Sequence, residues 1–522
     1  MPFSPSQKDL FTLAAVCLAA LMFGLEISSV PAILPTLESV LRSDFKDMQW
    51  IMNAYTIACT TVLMAIGTLA DRYGRKRVFI ISLMLFGVTS LACGLANSAS
   101  VLIASRFLQG MAGGAMLICQ VAVLSHRFQS GSARGKAFSA WGIVFGIGLG
   151  FGPIIGAAIV ALSSWQWVFL VHAPIAVLAL VLVSVGVDES IDPQRRRLDV
   201  LGIAALSLAV LGFSWFITQG AGAGFSSGSA IASLVVALIS LVVFAAAQRR
   251  NADPMFDFSV LRIRRFSGAL LGSAGMNFSF WPFMIYLPLY FQNGLGYASV
   301  GTGLALLAYT LPTLVVPPLG ERLALRFRPE VVIPAGLFTI GLGFLLMKWG
   351  SSVAHASWLT MLPGCLIAGV GLGLTNTPVT NTTTGSVPSE RAGMASGIDI
   401  SARMISLAIN IALMGFILVE GILSSLRNQL AGSLDDGKLR LLAEGLSAGH
   451  SGVSAGAAIS LDVANAAMAQ GFGWVMVYGA IAAWVLVVAS FWVFRSSTPF
   501  IPGAELHRPS ASAFPGTPSD NP

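Results

Sequence analysis

Counted between charged or Gly/Ser-rich breaks, this 522-residue chain holds fourteen apolar stretches of about 20 residues, the length that carries an α-helix across the hydrocarbon core of a bilayer. Their approximate limits are 10–34, 50–70, 78–97, 101–124, 138–160, 166–187, 200–219, 229–247, 267–291, 302–320, 331–350, 357–379, 392–422 and 471–494. Inside lipid a backbone must satisfy its own N–H and C=O groups, so the expected fold is all-α and polytopic. Composition agrees: 55% of residues are hydrophobic, 10% are charged and the mean hydropathy is +0.80, too apolar for soluble domains of this size.

The formal charge of +7 does not point to nucleic acid, because the basic residues sit in short connections where they orient the chain in the bilayer. Segments 188–199 and 248–266 are rich in Arg, whereas the turns at 97–100, 161–164, 220–228 and 292–301 carry no charge. This asymmetry predicts cytoplasmic termini and basic loops in a cell (inner) membrane protein whose first span is retained. The five cysteines all lie within apolar stretches and form no CxxC pair, so free buried thiols are expected, with no disulfide or metal.

Two six-helix bundles, 10–187 and 267–494, are expected to flank two inserted helices at 200–247, since repeated halves with binding at their interface are the usual plan of secondary transporters. The repeat shows in ERLALRFRP (Glu321–Pro329), which shares Leu-Ala-x-Arg-aromatic with GTLADRYGR in the first half but has Leu325 for the acid and Arg328 for the second glycine. The outer segment 423–470, with leucines at Leu423, Leu426, Leu430 and from Leu439 to Leu446, reads as short amphipathic helices at the outer surface or as spacer. The Pro/Ser-rich tail 495–522 is expected to be disordered and cytoplasmic.

Between the second and third spans, Gly67–Val78 (GTLADRYGRKRV) sets Asp71 among Arg72, Arg75, Lys76 and Arg77. Gly67 permits close helix approach and Gly74 a tight turn, so this stretch predicts two helices joined by a short charged hinge. Within the spans, an ionised side chain costs about 2.5 to 3.5 kcal/mol on insertion scales, so each one asks for a reason. Glu26 has no partner on its own helix and could either exchange a proton or serve as a hydrogen-bonded structural group; Arg106 lies in the fourth span. Asp399 and Arg403 are spaced i, i+4, which fits a structural ion pair as well as a proton site. His172 could titrate or be a satisfied hydrogen-bonding group.

Gly148, Gly152, Pro153 and Gly156 give the fifth span a small-residue face with a bend, suited to close helix contact and to gating between bundles. Trp50, Tyr55, Trp141, Asn277, Phe278, Trp281 and Tyr286 could line a cavity for a bulky lipophilic cation through stacking and cation–π contacts, although most membrane aromatics face lipid or other helices. GSARGKA (Gly131–Ala137) is one residue short of a P-loop and has Ala137 where magnesium needs a hydroxyl, so ATP use is not supported and no cofactor is implied.

These motifs, in this order, resemble the fourteen-span drug:proton antiporter branch of the major facilitator superfamily from Leu10 to about Phe494. Gly67–Val78 resembles its signature loop. LEISSVPAILP resembles its acidic first-helix motif, with Glu26 where aspartate is usual, and WIMNAYTIA resembles its second-helix start. Arg106, Gln109 and Gly110 match a fourth-helix motif whose arginine the family associates with proton transfer, and Gly148 to Gly156 match the antiporter motif. WQWVFLVHAP departs from the pattern, with Gln166 for arginine and His172 for asparagine. The resemblance implies a monomeric proton-coupled exporter of lipophilic drugs working by alternating access, with Glu26, Arg106, Asp399 and Arg403 in coupling and Gly67, Asp71, Arg72, Gly74 and Arg75 as a conformational latch. A metabolite exporter or symporter on the same scaffold is the alternative, and a membrane sensor without transport is a more distant one.

Overall fold

The computed structural model describes residues 5–128, 131–191, 199–251, 256, 258–353, 355–387, 392–430, 434–448 and 459–495. The tail beyond 495 and the arginines at 195–197 lie outside them. Among the described residues the chain is all-helical, without strands. The first half comprises α1 (Pro5–Leu41), α2 (Phe45–Tyr73), α3 (Arg75–Gly94), α4 (Ala99–Arg127), α5 (Gly131–Leu162), α6 (Gln166–Leu170) and α7 (His172–Gly186). Then come α8 (Val200–Ala223) and α9 (Gly228–Arg250). The second half comprises α10 (Arg264–Phe278), α11 (Phe280–Leu289), α12 (Ser299–Val315), α13 (Pro317–Phe327), α14 (Pro329–Gly350), α15 (Trp358–Gly385), α16 (Ala392–Gln429), α17 (Asp436–Ala448) and α18 (Leu461–Arg495).

Helix starts fall where side chains cap the first exposed N–H groups. Asp44 accepts from Asp47 N at 2.7 Å, Asp199 accepts from Gly202 N at 2.9 Å, and Ser357 and Thr360 cap each other's backbone. Among the described residues eleven helices are long and apolar enough to cross a membrane, or twelve if α12 and α13, bent by 43° before Pro317, count as one. Two expected stretches fall outside that count. The stretch at 50–70 lies in α2, part of which falls outside the described residues. The stretch at 267–291 is broken at Ser279, whose φ of −133° and ψ of −80° divide it into α10 and α11. Asn277 and Ser279 turn their side chains back onto Ser273 O and Gly275 O of their own helix there.

In the first bundle α1 packs on α5 and α7, and α4 on α2 and α3; in the second, α14 packs on α15 and α18, and α10 on α15 and α18. The bundles meet along two seams, α5 with α12 and α2 with α16. α8 lies along the second seam, touching α2 and α16, with Ile57, Val210 and Ala408 packed in one cluster. The outer segment begins later than 423, because α16 continues to Gln429 with Leu423 and Leu426 fully buried. Its helix α17 tucks Leu439, Leu442 and Leu446 into the same apolar cluster as Phe45 and Met48 of α2. Arg440 pairs with Glu420 at 2.6 Å, an ion pair between α17 and α16.

Candidate functional site

Gly74 turns the chain between α2 and α3 with φ at +108°, the left-handed conformation expected of it. In the second half Arg328 makes the matching turn between α13 and α14 with φ at +68°, so the repeated geometry survives loss of the glycine. The basic loop is held by the strand of chain that follows α7. Glu189 accepts from the backbone N–H groups of Lys76 at 3.0 Å and Arg77 at 3.2 Å, at the positive start of α3, and Arg75 N donates to Ser190 O at 3.0 Å. Arg72 lies over the Tyr73 ring at 5.4 Å, Gly67 is near Ile118 of α4, and the side chain of Asp71 lies outside the described residues. Lys8 donates to Asp188 at 2.6 Å and, with Arg127 and Lys76 nearby, holds the Asp188 carboxyl below its ordinary range. A lowered carboxyl stabilises the fold above its unfolded value, so this tether is expected to loosen only on acidification below about pH 4. A Cβ at Gly74 would meet Glu189 Oε1 at 2.5 Å in addition to the backbone strain. Gly74→Ala is therefore expected to cost about 1 to 3 kcal/mol, read as a lowered midpoint in thermal unfolding of the purified protein.

The glycine face of α5 brings α1 close. A Cβ at Gly148 would lie 2.9 Å from Leu21 O, and one at Gly156 would lie 2.9 Å from Ser29 Cβ. Ser28 Oγ donates to Gly148 O at 2.9 Å. Gly148, Gly152 and Gly156 thus face α1 inside the first bundle, not the second bundle. The neighbouring face of α5 reaches α12 instead, where Thr310 Oγ1 donates to Gly150 O at 2.7 Å and a Cβ at Gly303 would sit 3.2 Å from Pro153 O. Spacing marked a contact face; it did not say which neighbour filled it.

With α1 so placed, Glu26 is fully buried and meets Arg106 of α4, also fully buried. Arg106 Nη1 donates to Glu26 Oε1 and to Gln109 Oε1 at 2.8 Å, while Nε donates to Ile51 O at 3.1 Å. Gln109 in turn donates to Ser90 Oγ at 2.9 Å. The guanidinium lies over the Tyr55 ring at 4.3 Å, a cation–π contact in a dry site. His172, 1% exposed at the start of α7, places Nδ1 3.5 Å from Glu26 Oε2 and 3.2 Å from Phe169 O. Among the described residues, Glu26 Oε2, Arg106 Nη2, Tyr55 Oη and His172 Nε2 have no hydrogen-bond partner. Buried polar atoms are ordinarily satisfied, so four orphans in one cluster mark a place built for something other than packing. Gln109, Ser90 and Ile51 O had no distinct signal in the sequence beyond the fourth-helix motif.

A small cavity between the bundles touches this cluster. Tyr55 and Arg106 line it from the first bundle, and Trp281, Met284, Met404 and Leu407 from the second. Toward the ends carrying Leu41 and Phe45 the bundles are closed. There Gln49 donates to Tyr286 Oη at 3.2 Å, Tyr286 Oη donates to Ile411 O, and Gln292 donates to Ala32 O at 3.1 Å.

Of the aromatics expected at a cavity, only Tyr55 and Trp281 line this one. Tyr286 belongs to the closure above. Trp50 packs on Trp215 of α8 with centroids 5.5 Å apart, and Trp141 stacks on Phe145 at 5.8 Å while donating to Gln120 at 3.3 Å. Asn277 is satisfied by its own helix, and Phe278, beside it before the Ser279 break, is half-buried and does not line the cavity. Asp399 and Arg403 pair at 2.9 Å on α16, and Arg403 also donates to Asn376 at 2.5 Å and Thr380 at 2.9 Å of α15.

A family model described as Major Facilitator Superfamily matches residues 16–411. This chain belongs to the major facilitator superfamily. Family membership makes it a multi-pass membrane transporter rather than an enzyme. It is 31% identical to the multidrug resistance protein Stp of Mycobacterium tuberculosis (strain CDC 1551 / Oshkosh) over 83% of this chain and 80% of that protein. It is 29% identical to the puromycin resistance protein pur8 of Streptomyces alboniger over 78% of this chain and 82% of that one. The crystal structure of the human organic anion transporter MFSD10 (TETRAN) superposes with a TM-score of 0.55 at 16% identity, over 85% of this chain and all of that one, a likeness of fold.

Proposed function

We propose that this superfamily member is a proton-coupled exporter of drugs or other toxic lipophilic compounds, cations above all, acting by alternating access. It works as a monomer in the cell membrane with both termini cytoplasmic, and α2 and the broken α10–α11 unit cross the bilayer too, for fourteen spans. The observation that carries this reading is the fully buried Glu26–Arg106 pair at the edge of the inter-bundle cavity. Its relatives in drug resistance support the substrate class. An intramembrane acid is expensive unless it works, and one that can give up its counter-ion to a cationic substrate lets substrate and proton compete for one negative site.

One proton is worth about 2.3 kcal/mol per 100 mV and about 1.4 kcal/mol per pH unit. If one monovalent cation leaves for each proton that enters, the voltage term cancels and the pH gradient alone drives export. The closed contacts at Gln49, Tyr286 and Gln292 form the outer gate, and the loop at Gly74, clasped by Glu189, forms the hinge of the inner one. Pro153 and the Gly150–Thr310 contact give the α5–α12 seam its sliding surface, while Gly148, Gly152 and Gly156 keep α1 seated. Asp399 and Arg403, engaged with Asn376 and Thr380, brace α15 against α16. Asp399→Asn is accordingly expected to retain at least about half of coupled transport while lowering stability by about 1 to 3 kcal/mol.

The test is a proteoliposome with an imposed pH gradient to which ethidium or a quaternary ammonium is added while lumenal pH is recorded. Cation-dependent proton movement is the expected result. Correctly folded protein that moves no proton with any cation would turn the reading toward a metabolite solute.

A further inference from the structure

We propose that His172, not Glu26 alone, holds the transported proton, with Glu26 as its counter-charge. This rests on the proton-coupled reading above and deepens it. The groups facing the imidazole are few. Glu26 comes from α1, Arg106 from α4 and Tyr55 from α2, Cys93 of α3 adjoins the same cluster through Gln109, and the ring meets Phe86 edge-on at 5.7 Å. Glu26 divides its two oxygens between two cations in waiting. Oε1 belongs to Arg106, whereas Oε2 has no hydrogen bond and looks toward His172 Nδ1 at 3.5 Å.

With the imidazole neutral, its hydrogen on Nδ1 is assigned by the contact to Phe169 O, which leaves Nε2 as an acceptor without a partner. Carboxylate, guanidinium and neutral imidazole then sum to zero charge. A proton arriving on the Nε2 lone pair leaves the Arg106 pair intact and creates an imidazolium beside a carboxylate that has a free oxygen to receive it. A proton arriving on Glu26 instead would cancel the counter-charge of a fully buried guanidinium, the costlier choice in a dry site. Imidazole is also the side chain whose ordinary titration falls between pH 5 and 8. No bond other than N–H forms or breaks, and the proton leaves from Nε2 to water when the site opens inward. An amide at this position, the residue type the resemblance leads one to expect, could keep the contact to Phe169 O but could not carry the proton.

The experiment measures proton release on ethidium binding to the purified full chain with a pH-indicator dye between pH 5.5 and 8. Wild type is expected to release about one proton per cation bound, and His172→Asn to bind ethidium yet release at least about fivefold less. Wild-type amplitude and pH profile in His172→Asn would overturn the role of His172 and leave the proton-coupled reading standing. Absence of release in wild type together with absence of coupled transport would sink that reading itself. Should His172→Asn not fold, a chain keeping His172 as the only one of its 5 histidines decides the question. Its labelled imidazole signal is expected to pass from neutral to protonated as pH falls through this range and to return to neutral on adding ethidium. A ring that stays neutral throughout overturns the proposal.

Discussion

Glu26→Gln is expected to reduce cation-driven proton movement to background, a loss of at least about two orders of magnitude, or about 2.7 kcal/mol of coupling. The amide keeps the shape of the side chain and its acceptor oxygen toward Arg106, so helix packing around α1 is retained. It removes the carboxylate that, among the described residues, pairs with the guanidinium, and with it the negative charge that the proposed exchange requires. Downhill leakage of a lipophilic cation is expected to survive, since the path between the bundles is unchanged; what disappears is its link to pH. The same liposomes therefore report both quantities. A variant that still moves protons with wild-type amplitude would show Glu26 to be a structural residue. Arg106, left without its counter-charge but still bonded to Ile51 O and Gln109, is expected to make the variant less stable by roughly 3 kcal/mol.

That Glu26 would find Arg106 could be anticipated from the cost of an unpaired charge in hydrocarbon, and the resemblance pointed the same way; which atoms would meet could not. The two residues are 80 positions apart, and their contact depends on α1 sinking into the glycine face of α5 and on Gly110 admitting α2 against α4. A small-residue face read from spacing says that some helix comes close. It is silent on which one, so Gly148, Gly152 and Gly156 were legible as contact residues while their neighbour α1 was not. The turn at Gly74 was legible because its chemistry is local, a left-handed φ that glycine tolerates. The clasp by Glu189 was not, because an acid in a charged connection looks like any solvated residue until the chain after α7 is folded back over α3.

Aromatic residues were the least informative. Trp50, placed by its span in the right half of the molecule, turns to Trp215 because α8 occupies the seam that a cavity would otherwise reach. Span ends also moved. Hydropathy stops at the last strongly apolar window, whereas α16 continues to Gln429 because Leu423 and Leu426 still have protein to pack against. The break at Ser279 stands three residues before Pro282, which has no N–H to give Phe278 O and whose ring crowds that carbonyl, so its cause was in the sequence although hydropathy alone passes over it.

Arg106→Ala is expected to be the most damaging single change in the first bundle. It strips Glu26 of its partner, removes the donor to Ile51 O and to Gln109, and empties the space over the Tyr55 ring. Removing one member of a buried pair costs about 3 to 5 kcal/mol when the other stays charged, and Glu26 can lessen this by taking a permanent proton itself or by keeping one on His172 beside it. Either way coupling is expected to be lost, since a proton held permanently at the site is no longer exchanged. The double variant Glu26→Gln with Arg106→Gln separates the two effects. Both side chains become neutral amides able to hydrogen-bond each other, so about half or more of the lost stability is expected to return, because burying a bonded amide pair costs far less than burying one unpaired charge. Transport is expected to stay at background. Thermal unfolding of wild type, the two single variants and the double variant forms a closed cycle in which a coupling energy of at least about 2 kcal/mol is expected between positions 26 and 106. Additive losses, with a coupling energy near zero, would mean that the two side chains are held independently and that their contact in the buried core carries no stability.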